Sequence, residues 1–240
     1  MAPEGDNRFV ALRVARSEPG KELTEFKVAV GGPHSRVLDV LLRVRHKQDP
    51  TLTFRYACRV GMCGSCAIMI NGKERLACQT PVSELGNIIT VAPLCSLPVQ
   101  RDLVVDMAPF FDTFRRVNAA LIPETPDLRE IRRLPPGSRR RGTIERQNGC
   151  ITCGACFSAC EWTRWRERYI GPAAMNRVLM LMLDDKDRLK DARLASVSDD
   201  DSALRCHIVG DCSVVCPVDV PLRTGLQRLR GMIAKGSTAL

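Results

Sequence analysis

Apolar and polar residues alternate along FVALRVARS (9–17) and ELTEFKVAV (22–30), with the turn-forming EPGK between them, so the chain opens on two predicted strands. In SRVLDVLLRVRHKQDP (35–50) the period lengthens. Val37, Leu38, Leu41, Leu42 and Val44 fall near helical spacing, and Asp49–Pro50 stops the run. AIMINGKERLAC (67–78) places two short apolar runs on either side of Asn71–Gly72, a strong signal for a two-residue hairpin. NIITVAPL (87–94) adds another strand. Two strands, a helix, then a hairpin wrapped by a cysteine-rich loop predict a small α+β domain over residues 1–105.

The pattern changes beyond that point. DLVVDMAPFFDTFRRVNAALIP (102–123) reads as helical, with Pro109 in a first turn or at a kink. ETPDLREIRRLPPGSRRRGTIERQNG (124–149) is rich in proline and charge and poor in apolar periodicity, which predicts an extended surface connection. Its Arg139–Arg141 run reads as a solvated face, with docking to an acidic partner or lipid headgroups as the lesser alternative. The connection is expected over 106–146, and a helical domain with cysteines at helix ends and in loops over 147–240. VLMLML (178–183) is cut off by DDKDR, far short of the roughly 18–20 apolar residues needed to span a bilayer, and so reads as the buried face of a helix. PLRTGLQRLRGMIAKG (221–236) closes the chain as a basic amphipathic helix.

Composition sharpens this picture at one point. The chain has 12 cysteines in 240 residues, in tight groups rather than at disulfide-like separations. Residues 1–9 (MAPEGDNRF) carry neither a secretory nor a transit pattern, so thiolate–metal ligation in a reducing compartment is expected. The net charge of +9 raises the question of nucleic acid. No aromatic–basic interleaving supports that partner, and thiolate-bound iron–sulfur groups would offset the charge.

The cysteines form three sets. Cys58, Cys63, Cys66 and Cys78 open with the C-x4-C-x2-C spacing of a plant-type [2Fe–2S] site, with Gly61 and Gly64 letting the backbone approach the sulfurs. Four thiolates also suit zinc, which stays open as an alternative. CITCGACFSAC supplies Cys150, Cys153, Cys156 and Cys160 in the C-x2-C-x2-C-x3-C run whose fourth member ligates the other cluster of a pair. Cys216, before Pro217, then completes a [4Fe–4S] set with Cys150, Cys153 and Cys156. Cys160, Cys206 and Cys212 remain for the second cluster. Where a fourth cysteine would stand there is Val209, which cannot bind iron, so a [3Fe–4S] centre is expected. Cys95 is left over and reads as an ordinary thiol.

YACRVGMCGSCAIMINGKERLACQT, RDLVVDM, GCITCGACFSAC, YIGPAAM and RCHIVGDCSVVCP, in this order, resemble the iron–sulfur subunit of the succinate dehydrogenase/fumarate reductase (complex II) family. The resemblance implies an α+β chain: an N-terminal plant-type [2Fe–2S] ferredoxin (β-grasp) domain, then an all-α bacterial-type two-cluster ferredoxin domain. It implies an enzyme subunit that relays single electrons through [2Fe–2S], [4Fe–4S] and [3Fe–4S] clusters, without holding the dicarboxylate site. The partners implied are a flavoprotein carrying FAD, hydrophobic membrane-anchor subunits and a quinone; the place is peripheral to the inner or cytoplasmic membrane, on its cytoplasmic or matrix side. By matching position, Trp165 and His207 are implied to line the quinone pocket. Glu161, where the family usually has proline, and Arg164, where an aromatic is frequent, depart from the pattern. The competing readings are a soluble flavoprotein dehydrogenase or thiol-linked fumarate reductase without quinone, and a zinc-stabilised interaction protein.

Overall fold

The computed structural model describes residues 8–17, 20, 22–123 and 137–236. The chain divides into two compact units. The first comprises residues 1–107 with 151–159, and the second 108–150 with 160–240.

In the first unit, β1 (Phe9–Ala15) pairs antiparallel with β2 (Leu23–Ala29), Leu12 lying opposite Phe26. Val10, Leu12 and Val14 face inward from β1, as strict alternation requires. Helix α1 (Val37–Lys47) buries Val37, Leu38, Val40, Leu41 and Val44. Asp39 closes its first turn by accepting the Arg36 N–H at 2.8 Å. The predicted hairpin forms as β3 (Ala67–Ile70) and β4 (Lys73–Leu76), with Asn71 and Gly72 both at positive φ. β5 (Ile88–Ala92) enters between the two pairs, parallel to β1 and antiparallel to β3, giving the order β2-β1-β5-β3-β4. Part of the EPGK turn, and residues 1–7 of the leader reading, lie outside the described residues.

Two sequence expectations are corrected. Residues 102–105 are not helical: β6 (Val99–Arg101) and β7 (Val104–Val105) make a small hairpin, and only α2 (Ala108–Arg116) follows, with Pro109 in its first turn. The cause is long-range. The Asp102 carboxylate accepts N–H groups from Ser17 at 3.1 Å and Thr53 at 2.9 Å, which fixes its left-handed turn. The second correction falls in the expected extended connection. Residues 124–136 lie outside the described residues, but α3 (Arg139–Asn148) is a helix, capped by Ser138 accepting the Arg141 N–H at 3.1 Å. With no apolar stripe, that helix left no periodic signal.

The short α4 (Ala155–Ser158) belongs to the first unit; α5 (Glu161–Trp165), α6 (Gly171–Leu183), α7 (Lys190–Ala195), α8 (Asp211–Val214) and α9 (Leu222–Lys235) belong to the second. Helix α6 is buried at every position except Arg177, as its all-round apolar sequence demands. Against it packs α9, through a stripe of Leu222, Leu226, Leu229 and Met232. A buried pair ties the second unit further: Arg193 bonds Asp187 at 2.7 Å and donates to the Ala120 carbonyl at 2.6 Å. No helix among the described residues is long and apolar enough to cross a membrane.

Candidate metal centres

None of the 12 cysteines, all among the described residues, is joined in a disulfide. The first set lies on one loop and one hairpin of the first unit. Arg59, Gly61 and Gly64 all take positive φ, so the loop from Cys58 to Cys66 curls tightly and turns its N–H groups inward. Cys63 N–H points to the Cys58 sulfur at 3.3 Å, and Cys78 N–H to the Cys66 sulfur at 3.5 Å. Hydrogen bonds from Ser65 and from Cys58 hold the exposed Cys63 thiol down at about 6, while burial pushes Cys66 up to about 12. Glycine at position 64 is demanded twice. Its φ is +70°, and a Cβ there would stand 2.7 Å from the Cβ of Cys153 and 2.9 Å from its Cα.

Cys153 and Cys156 lie in the first unit, on the segment carrying α4; Cys150 and Cys216 lie in the second. Ser158, at the end of α4, clamps that segment to the sheet. Its hydroxyl donates to the buried Glu74 carboxylate at 2.8 Å and accepts the Cys95 N–H at 2.7 Å. Cys95 thus serves through its backbone, and sequence reasoning gave no signal of either partner. In the second unit the Cys216 sulfur receives the Val220 N–H at 3.3 Å.

The third set gathers in the second unit. Burial, then the charges of Cys206 and Asp211, push the Cys160 thiol up. Burial, then Cys160 and Cys206, push Cys212 up to about 12. These three thiols therefore lie within electrostatic range of one another. Ile208 N–H reaches the Cys206 sulfur at 3.3 Å, and Arg230 donates to the Cys206 carbonyl at 2.9 Å. Tyr169 also faces this group. Burial, then Cys160 and Cys206, raise its phenol far above the ordinary value, so it stays a donor.

The two halves of the cysteine pattern share one backbone. Thr152 and Ile208 have φ of 52° and 58°, and the glycines that start α4 and α8, Gly154 and Gly210, have φ of 82° and 104°. Gly154 O accepts the N–H groups of Phe157 and Ser158, and Gly210 O those of Ser213 and Val214. Thr163 N–H returns to Cys160 O, and Asp219 N–H to Cys216 O, at 3.2 and 3.3 Å. On this match Cys150, Cys153, Cys156 and Cys160 correspond to Cys206, Val209, Cys212 and Cys216. Val209 therefore stands in the backbone place that Cys153 fills with a thiol, and its side chain is 72% exposed.

Of the two residues implied for a quinone pocket, His207 is exposed and packs edge-on to Trp162, ring centroids 5.2 Å apart. Arg205 covers Trp162 at 5.2 Å. Trp165, three residues on along α5, is 74% exposed. The structure thus gives His207 a partner that the sequence reading passed over; the i, i+3 spacing of the two tryptophans was the available signal.

Grouped thiols, of which Cys66, Cys78 and Cys156 are buried, with N–H groups aimed at sulfur and a buried phenol beside the third set, suit thiolate-held iron–sulfur groups. A five-stranded sheet carrying the C-x4-C-x2-C loop, together with helices carrying a doubled cysteine motif, defines a ferredoxin-type electron-transfer protein. Residues 11–112 match a 2Fe-2S iron-sulfur cluster binding domain and residues 146–220 a 4Fe-4S dicluster domain. The chain is 36% identical over 196 residues to succinate dehydrogenase (ubiquinone) iron-sulfur subunit 1, mitochondrial, of Oryza sativa subsp. japonica, over 81% of this chain and 70% of that one. It is 36% identical over 220 residues to the succinate dehydrogenase iron-sulfur subunit of Paracoccus denitrificans, over 90% and 84%. A chain of the Mycobacterium smegmatis Sdh1 complex in the apo form superposes with a TM-score of 0.87 at 29% identity, over 97% of this chain and 98% of that one. The chain belongs to the family of succinate dehydrogenase iron–sulfur subunits, the electron-transferring part of an oxidoreductase.

Proposed function

We propose that this chain relays single electrons between the FAD of a flavoprotein subunit, where succinate is oxidised or fumarate reduced, and a quinone held with hydrophobic anchor subunits. Its place is peripheral, on the cytoplasmic or matrix side of the membrane. Bound clusters supply the one-electron couples: [2Fe–2S] on Cys58, Cys63, Cys66 and Cys78; [4Fe–4S] on Cys150, Cys153, Cys156 and Cys216; [3Fe–4S] on Cys160, Cys206 and Cys212. The chain's own residues hold these groups, aim N–H donors at sulfur and keep water from the buried ligands. The observation that carries the three-iron assignment is Val209 in the backbone place of Cys153. The exposed Val209, Val214 and Trp165 support a docking face at the terminal centre, where Trp165 and His207 would meet the quinone. The name of the Oryza relative, which includes ubiquinone, favours this reading over a quinone-free flavoprotein dehydrogenase.

The test is EPR of the purified complex. A near-isotropic three-iron signal is expected before reduction, and a [2Fe–2S] signal after addition of succinate. Zinc in place of acid-labile sulfide would overturn the reading.

A further inference from the structure

Tyr169 is 1% exposed, and its fully buried hydroxyl makes no well-formed hydrogen bond within the chain, Cys206 being a side chain that it approaches as a partner. The backbone holds the ring in place: Tyr169 N–H donates to Arg166 O, and the next residue, Ile170, donates to Asp201 O, both at 2.9 Å. A buried hydroxyl without a well-formed hydrogen bond is costly, which calls for a better partner in the working protein. Around it stand Cys160, Cys206 and Cys212, with Cys206 the group the hydroxyl approaches. Once these thiols hold a cluster, the thiolates and sulfides are acceptors only, and the phenol is a donor aimed at them.

We propose that the Tyr169 hydroxyl donates a hydrogen bond to sulfur of the terminal centre and thereby sets that centre's reduction potential. The proposal rests on the three-iron assignment above. A donor at cluster sulfur stabilises the added negative charge of the reduced state more than it does the oxidised state, so it raises the potential. Tyr169 is a positioning residue in this sense: it tunes the electron's resting place without touching a substrate.

The experiment is a redox titration of the intact complex followed by EPR, comparing wild type with Tyr169→Phe. The ring is kept and only the donor is lost. At a fixed potential, the ratio of reduced to oxidised terminal centre is expected to fall about tenfold, a shift of about 59 mV for one electron. The [2Fe–2S] centre, whose ligands lie in the other unit, is expected to keep its potential. Should Tyr169→Phe fail to hold the cluster, fluorotyrosine labelling decides. The chain has only 2 tyrosines, so in a Tyr56→Phe background the label reports on Tyr169 alone. A more acidic phenol of the same shape donates more strongly, so the potential is expected to rise. A three-iron signal whose midpoint moves in neither experiment overturns the proposal alone. Absence of that signal from the wild type overturns the assignment beneath it, and the proposal with it.

Discussion

Gly64, in the loop of the first cysteine set, lies directly against Cys153 of the second, so that a Cβ on the glycine would fall 2.7 Å from the Cβ of the cysteine. The atoms it would meet, the Cβ and Cα of Cys153 and the Ile151 carbonyl oxygen, are fixed by the backbone and cannot swing away, and they set the loop of the first cysteine set against a residue of the second. Gly64→Ala adds left-handed strain to a collision, an expected loss of about 2–4 kcal/mol. Thermal unfolding of the assembled complex, with iron and acid-labile sulfide counted, checks this. Normal cluster content and an unchanged melting temperature would contradict it.

Val209→Cys restores a thiol at the position whose backbone already matches that of Cys153. The expected product is a four-iron terminal centre. The near-isotropic signal of the oxidised complex should disappear, and a second [4Fe–4S] signal should appear on reduction. If the three-iron signal persists, the correspondence between the two halves is wrong.

Ser158→Ala removes the hydroxyl that joins Glu74 to the Cys95 N–H. Leaving a buried carboxylate one donor short costs about 1–3 kcal/mol. Glu74→Gln keeps an acceptor for the serine and should cost less. Melting of the two variants side by side reads the difference; equal losses would mean that packing, not the hydrogen bond, holds α4.

Burial alone would push the Asp187 carboxyl up, but the Arg193 hydrogen bond and the Ile122 N–H outweigh it and hold it below the ordinary value. A carboxylate with a depressed folded value stabilises the fold fully above its unfolded value, near 4, and loses that contribution as the pH falls through the folded value. Asp187→Asn leaves Arg193 buried without its counter-charge, an expected cost of about 3–5 kcal/mol at neutral pH. The gap between wild type and variant, followed by denaturant unfolding, should narrow as the solution is acidified below about pH 4. A constant gap would remove the carboxylate charge from the account.

His207→Phe keeps an aromatic edge against Trp162 while removing the ring nitrogens, and Trp165→Phe removes an indole N–H from an exposed face. Both should lower quinone reduction by about tenfold or more, with succinate-driven reduction of a water-soluble dye unchanged. Parallel losses in the two assays would place both residues outside the quinone pocket.

What the sequence made legible follows the range of the forces involved. The Asn71–Gly72 hairpin, α1 and α9 were readable because turn chemistry and apolar period are local. The two ferredoxin-type domains were readable because the cysteine spacings that mark them are local. Residues 102–105 read as helix because the turn they form depends on Ser17 and Thr53, distant in sequence from Asp102. Helix α3 was missed because it is held by the Ser138 cap, without an apolar stripe. Ser158 against Glu74 and the burial of the Tyr169 hydroxyl depend on residues far apart in sequence, which no local period encodes.

The segment 151–159 closes the first unit although it follows the whole of 108–150 in the chain. The N-terminal ferredoxin is therefore not severable at its apparent boundary. A fragment ending at residue 107 would keep every strand of the sheet yet leave Glu74 without the Ser158 hydroxyl and Gly64 without the backbone it abuts. During synthesis, too, the first unit stays unfinished until the ribosome has passed residue 159, so its folding waits on a segment that carries two cysteines of the second set.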